Sequence, residues 1–286
     1  MPIRTILVPA DGTDASKPAI EMALKLAPAF HAHVEVLHVR ADAKDAVPLL
    51  GEGMSGAMIE EMIDMAETEA AQRAKAARAM FDSTCGAQSI PVKDAADGVE
   101  EASISWREET GREDEVTATR ALLADMIVMT RPGSESEVSA TLTLNAALFE
   151  SARPVLLAPH EGASLPTRHA VIAWNGSAQA ARAVRTAMPL MKKMDAVTVV
   201  TIDARGEVTP TAADVAAYLA WHGIQAQVRS KNGEGPGMVL LNVCREVDAD
   251  LLVMGAYTHS RLRQLIMGGV TRFVLDNAKI PVLMAH

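Results

Sequence analysis

The sequence predicts an α/β protein made of two tandem units, each a five-stranded parallel sheet with helices on both faces. Three observations carry that prediction. Short apolar runs alternate with stretches of helical periodicity along the 286 residues, the pattern of strands joined by helical crossovers. The runs that read as strands are almost wholly apolar instead of alternating, as parallel strands are when both faces are covered. Three phrases also occur twice in the same order. Ile6-Leu7-Val8-Pro9-Ala10-Asp11-Gly12-Thr13 returns as Val171-Ile172-Ala173-Trp174-Asn175-Gly176-Ser177; residues 124–129 (ADMIVM) return as 249–254 (ADLLVM); residues 153–158 (RPVLLA) return as 280–285 (IPVLMA). The chain therefore divides into residues 1–160 and 161–286, with the connection near 159–168.

Each element has its own warrant. Residues 4–9 are an apolar run bounded by turn formers, a buried strand. Ala19, Ile20, Ala23, Leu24 and Ala27 recur at helical spacing within 15–30. A strand at 34–39 follows, then a long helix at about 56–82, where Met58, Met62, Ala66 and Ala70 recur every fourth residue; its methionines are expected to fill core or a helix interface. Residues 103–106 read as a third strand. Helix 113–123, strand 125–129, helix 140–151 and strand 154–158 complete the first unit. The second repeats the scheme with strand 170–174, helix 178–191, strand 196–202, helix 210–221, strand 224–229, helix 236–247, strand 250–254, helix 267–277 and strand 281–285.

Composition narrows the function. The net charge of −9 is uneven: residues 1–160 carry 14 Lys+Arg against 26 Asp+Glu, whereas residues 161–286 carry 13 against 10. An acidic first unit argues against a nucleic-acid binder, which needs a continuous basic face. Cys85 and Cys244 lie far apart without a Cys/His cluster, which excludes a disulfide framework and a zinc site. The N-terminus has no export signal and no apolar run reaches membrane-spanning length, so a cytoplasmic protein with no membrane partner is expected.

In open parallel sheets ligands sit beyond the carboxyl ends of the strands, where strand order reverses. After strand 250–254 the chain leaves through Gly255, crosses a polar loop holding Arg261 and Arg263, and enters a helix at Gly268-Gly269. Glycines let backbone N–H groups approach a phosphate, and a helix N-terminus supplies unpaired donors at the positive end of its dipole.

This loop and the three repeated phrases together resemble the universal stress protein (UspA) family, in its tandem two-domain type. The resemblance spans nearly the whole chain, twice. It implies Rossmann-like domains of the adenine nucleotide alpha hydrolase-like kind and a stress-response or signalling module that binds ATP or a related adenine nucleotide, with or without Mg²⁺. The family's loop reads Gly-x2-Gly-x9-Gly-Ser/Thr. Gly255 and Gly268 match its first and third glycines, while Thr258 stands at the second and Gly269 at the Ser/Thr; Val270 and Thr271 follow, and Thr271 is a candidate to reach back as a helix cap. Met254 precedes the loop. The family's first-strand aspartate, which meets the nucleoside, is Asn175 here, preceded by Ala173 and Trp174. Ile202 matches the residue lining the adenine pocket. Trp174 either stacks a base or fills core, with core the default. The resemblance further implies that segments 154–158 and 281–285 pair within one chain, an intramolecular imitation of a family dimer, and a homodimer of whole chains is a further expectation.

The first unit retains Asp11, but its corresponding loop is two residues shorter, carries Glu135 and Glu137, and lacks Gly-Gly before its helix. It is expected to bind no triphosphate, leaving Asp11 as a turn or capping residue and Gly133-Ser134 as an ordinary turn. Residues 233–237 (GEGPG) read as a turn because Pro236 removes a donor. His259 reads as a solvated loop histidine. The acid-rich stretch 100–115 reads as a solvated face with helix-start charges. No nucleophile–base arrangement accompanies any strand end, so catalysis is not expected beyond a slow ATPase activity. The rival expectation is a nucleotide-free interaction or small-ligand protein whose site has decayed at Thr258, Gly269 and Asn175.

Overall fold

The computed structural model describes residues 2–43, 55–86, 90–94, 101–132, 138–162, 164–203, 208–256 and 269–286. The first half runs β1 (Thr5–Pro9), α1 (Lys17–Phe30), β2 (His33–Arg40), α2 (Gly56–Gly86), β3 (Ser103–Thr110), α3 (Glu113–Ala121), β4 (Met126–Thr130), α4 (Val138–Glu150) and β5 (Val155–Ala158). The second half repeats it as β6 (His169–Ala173), α5 (Ala178–Met191), β7 (Ala196–Asp203), α6 (Ala212–Trp221), β8 (Ala226–Asn232), α7 (Pro236–Glu246), β9 (Leu251–Gly255), α8 (Gly269–Asn277) and β10 (Val282–Ala285).

Within each half the strands are parallel, in the order β3-β2-β1-β4-β5 and its mirror β10-β9-β6-β7-β8. The two halves join edge to edge into one ten-stranded sheet, because β10 pairs with β5 antiparallel, placing Val282 opposite Leu157 and Met284 opposite Val155. All the residues at this seam are buried. Four-residue apolar edges left unpaired would invite foreign strands, and each instead covers the other. Two apolar layers, one on each face, run unbroken through both halves: Val8, Val128, Leu156, Leu283, Val253 and Ile172 on one side, and Leu7, Ile127, Leu157, Val282, Leu252 and Val171 on the other.

The second repeated phrase has a structural cause. Asp125 Oδ2 accepts hydrogen bonds from the backbone N–H groups of Arg4 and Thr5 at 2.8 and 3.0 Å. Asp250 accepts from the backbone of Thr167, Arg168 and His169, each at 2.9 Å. In both halves the aspartate ahead of the fourth strand ties down the start of the first. Such bonds satisfy amides that would otherwise be orphaned at a strand end.

Two expectations need correction. The third strand is not 103–106 but extends to Thr110, because its outer part pairs with β2 through Arg40 while its polar side chains face solvent. Arg107 reaches across to Glu35 at 2.8 Å, so part of the acid-rich stretch belongs to an edge strand, where polarity is no bar to extended structure. The methionines of α2 also divide: Met58 and Met65 are exposed, and only the C-terminal part of the helix enters the core, through Ala70, Ala77, Phe81 and Cys85. Both cysteines are buried and unpaired, and burial pushes their thiols up to about 11 for Cys85 and about 12 for Cys244, far from reactive. Among the described residues no helix is long and apolar enough to cross a membrane.

Candidate functional site

β6 ends at Ala173, and Trp174-Asn175-Gly176-Ser177 turns the chain into α5. Gly176 adopts a positive φ of 73° and Ser177 caps the helix, accepting from the Ala180 amide at 3.1 Å. β7 brings Val200 and Ile202 to the same edge, two residues apart and so on one face of the strand. β9 ends in Met254 and Gly255, and α8 begins at Gly269. These ends enclose a cavity of about 240 Å³ lined by Ala173, Trp174, Asn175, Val200, Ile202, Pro236, Leu240, Met254, Gly255, Gly269, Val270 and Thr271. Nine of the sequence-predicted residues thus face one space. Thr258 and Gly268 lie outside the described residues, as do Arg261, Arg263, His259 and, in the first half, Gly133-Ser134, Glu135 and Glu137.

The sequence reading missed Val200, Pro236 and Leu240. Val200 was legible as the neighbour of Ile202 at strand period. Pro236 and Leu240 sit four apart on α7, one helical face, but nothing in the sequence says that α7 closes this cavity. Pro236 is the first residue of α7, after Gly235 at φ 71°, so residues 233–235 bend the chain into a helix that already holds 236 and 237, and the proline withholds a donor that a phosphate would use.

Asn175 takes a role different from the one expected, whereas Trp174 keeps its default place in the core. Asn175 Oδ1 accepts from both the Ser177 amide at 3.2 Å and the Ser177 hydroxyl at 2.7 Å, so the acceptor meant for a ribose hydroxyl is engaged in a turn. Trp174 is buried and its Nε1 donates to the Pro210 carbonyl at 2.6 Å, which makes it core with one edge on the cavity. Thr271 is buried at the third residue of α8 and lines the cavity. Gly255 is fixed by space: a Cβ there would lie 2.6 Å from the Ala180 nitrogen and 2.8 Å from the Gln179 carbonyl carbon. The close approach brings the N-terminus of α5 against the end of β9. Among the described residues that line the cavity none is titratable, so this lining offers a mostly apolar wall with a few backbone and amide groups.

The corresponding end of the first half is different. Asp11 accepts from the Thr13 amide and hydroxyl, both at 2.8 Å, and from the Ser16 hydroxyl at 2.6 Å, the expected turn role. A cavity of about 460 Å³ opens between α2, α3 and α4, larger than the cavity of about 240 Å³ at the strand ends of the second half, which the sequence did not suggest. Its rim is charged, with Arg40, Asp42, Glu69, Arg73, Arg112 and Asp114. Many of these charges already pair: Arg73 with Glu69 at 3.0 Å and Arg112 with Asp114 at 2.8 Å, the latter bond holding the Asp114 carboxyl below the usual carboxylate range. Among the described residues no cluster of His, Cys, Asp and Glu could hold a metal ion.

Comparison with known proteins agrees with this architecture. The family model described as "Universal stress protein family" matches residues 2–156 and 204–286. A universal stress protein from Archaeoglobus fulgidus DSM 4304 is 20% identical, with a TM-score of 0.64, 98% of this chain covered and 95% of that one. A protein of unknown function from Pseudomonas aeruginosa PAO1 is 15% identical, with a TM-score of 0.59, 99% of this chain and 92% of that one covered. Among curated proteins none matches significantly.

Proposed function

Given that the chain belongs to the universal stress protein family, we propose that its second half binds ATP or a related adenine nucleotide and that the protein works as a nucleotide-responsive module in a stress response. The observation that carries this reading is the convergence of Ala173, Trp174, Asn175, Ile202, Met254, Gly255, Gly269, Val270 and Thr271 on one cavity at the carboxyl edge of the sheet. Val200, Ile202, Leu240 and Met254 form a wall suited to a purine ring, and Gly269, Val270 and Thr271 at the start of α8 lie beside it. At about 240 Å³ the space is somewhat below the roughly 300–1,000 Å³ of drug-sized sites, which suits a nucleoside with its phosphates outside the cavity. Mg²⁺, where present, would enter with the phosphates, because the cavity residues supply no carboxylate. With no titratable side chain among the described residues that line the cavity, hydrolysis would be incidental to binding.

A rival reading is a small-ligand or interaction protein without nucleotide. The engagement of Asn175 Oδ1 by Ser177 favours it. Isothermal titration with ATP, ADP and AMP separates the two. Saturable heat that vanishes in a cavity-filling Ile202→Trp variant and persists in Asp11→Ala is the expected result. No heat at high-micromolar nucleotide from folded protein would overturn the nucleotide reading.

A further inference from the structure

A buried arginine stands where the repeat has an alanine. Arg131 follows β4 and donates its amide to the Ala158 carbonyl at 2.9 Å; in the second half Ala256 follows β9 and donates its amide to the Ala285 carbonyl at the same distance. The two positions are equivalent, and the fold asks only for a methyl group there. Arg131 is nonetheless just 9% exposed, its Nε and Nη1 are buried without a hydrogen-bond partner, and it forms no ion pair within 4 Å among the described residues. The preceding residue departs in the same way. Thr130 occupies the place of Gly255, and its hydroxyl is also buried without a partner.

Thr130 and Arg131 line a cavity of about 50 Å³ together with Asp11, Ser16, Glu113, Ala140 and His160. That space holds roughly three or four water-sized probes, so it admits a small anion and excludes a nucleotide. A guanidinium taken from water without a counter-charge costs several kcal/mol, so an uncompensated one calls for an anion. Asp11 is a poor candidate, since the hydroxyls of Thr13 and Ser16 and the Thr13 amide already donate to its carboxylate. Asp276 on α8 attracts Arg131 at longer range but pairs with Arg272 at 3.8 Å. Burial first, and the nearby Arg131 charge second, hold the His160 imidazole below its usual range.

We propose that Arg131 and Thr130 form a binding site for a small inorganic oxyanion of the phosphate or sulfate type, in the half of the molecule that lacks a nucleotide loop. The anion supplies acceptors to the stranded Nε, Nη1 and Thr130 hydroxyl, and its size is set by the 50 Å³ space. The site is independent of the second-half cavity.

The test is thermal unfolding of the protein exchanged into chloride buffer, titrated with phosphate, sulfate or further chloride at matched ionic strength. Ligand bound only by the folded state raises the midpoint saturably. A saturable rise with phosphate or sulfate and none with chloride is expected for the native sequence. Arg131→Met should abolish it without lowering the midpoint in chloride, since an apolar replacement removes an unpaired buried charge. Should that variant fold poorly, Arg131→Lys, which keeps the charge and loses the planar donors, should weaken phosphate about tenfold. A rise of equal size in the native protein and Arg131→Met is the general effect of excluded salts and overturns the proposal, as does no rise at all. ATP titration of the same variants is read separately, so loss of nucleotide binding beside an intact phosphate response would count only against the second-half reading.

Discussion

The two halves share strand order, crossovers and the aspartate that locks the first strand, yet their carboxyl ends have diverged. In the second half Gly255 lets α5 approach β9, Asn175 and Ser177 turn the chain, and an apolar-walled cavity results. In the first, Thr130 and Arg131 replace the small residues, a 3₁₀ turn (Asp14–Ser16) precedes α1, and a 31-residue α2 stands where α6 has only 10 residues. Gly12 shows how closely α2 is fitted: at φ 86°, a Cβ there would lie 2.5 Å from the Arg73 carbonyl oxygen. Duplication of a scaffold thus preserves what closes the sheet and leaves the loops beyond it to vary, because the loops carry little of the packing.

Exchanging residues between the halves tests this. The largest effect is expected from Gly255→Thr, which gives the second half the first half's residue. The added side chain meets backbone of α5, so a loss of about 3 kcal/mol or more in urea unfolding is expected, together with loss of nucleotide binding. The reciprocal Thr130→Gly should cost about 1 kcal/mol or less. Equal effects would show that α1 and α5 approach the sheet alike. Next come Asp125→Ala and Asp250→Ala. Each strands backbone amides at a strand start, so each should cost about 2–3 kcal/mol, with similar values in the two halves and no change in ligand binding. A clear inequality would mean that the halves do not share this lock.

Asp11→Ala removes the acceptor of several turn bonds and should cost about 1–2 kcal/mol while leaving nucleotide titration unchanged; Asn175→Ala should cost less stability and weaken nucleotide instead. The smallest effect is pH dependence. Burial holds His33 and His169 below the usual histidine range, so the folded state keeps both rings neutral where the unfolded chain would protonate them. The unfolded state therefore binds more protons just below pH 6.5, and stability is present above that value and declines as pH falls through the folded-state pKa values. His33, bonded to Ser103 and Ser105 at 2.9 Å each, lies in the first half; His169, bonded to Thr198 at 2.7 Å, lies in the second. His33→Asn should flatten part of the decline in chemical unfolding between pH 6.5 and 5, and an unchanged slope would remove His33 from the account.

The repeated phrases made the succession of strands and helices legible, because apolar runs of four to six residues between turn formers have few other uses, whereas the order of the strands across the sheet came from the structure. Candidate residues on strand ends were legible for the same reason: Ile202 and Met254 are placed by strand register, and a family motif names the glycines. The outer part of β3 was not, since an edge strand with one wet side has no apolar period to read. Nor was the role of Asn175, because an amide beside Gly-Ser serves a turn and a ligand with equal chemistry.

What the sequence determined alone was the alternation, the repeated phrases and the apolar end of each half, all of which are read along the chain; that the two ends pair was implied by the family resemblance and is seen in the structure. Only the tertiary structure decided that the longer α2 leaves a charged cavity over the first half, that Pro236 and Leu240 close the second, and that Arg131 is buried. Each depends on which helix reaches which strand end. That distance is set by packing between residues far apart in the chain, and no local pattern records it.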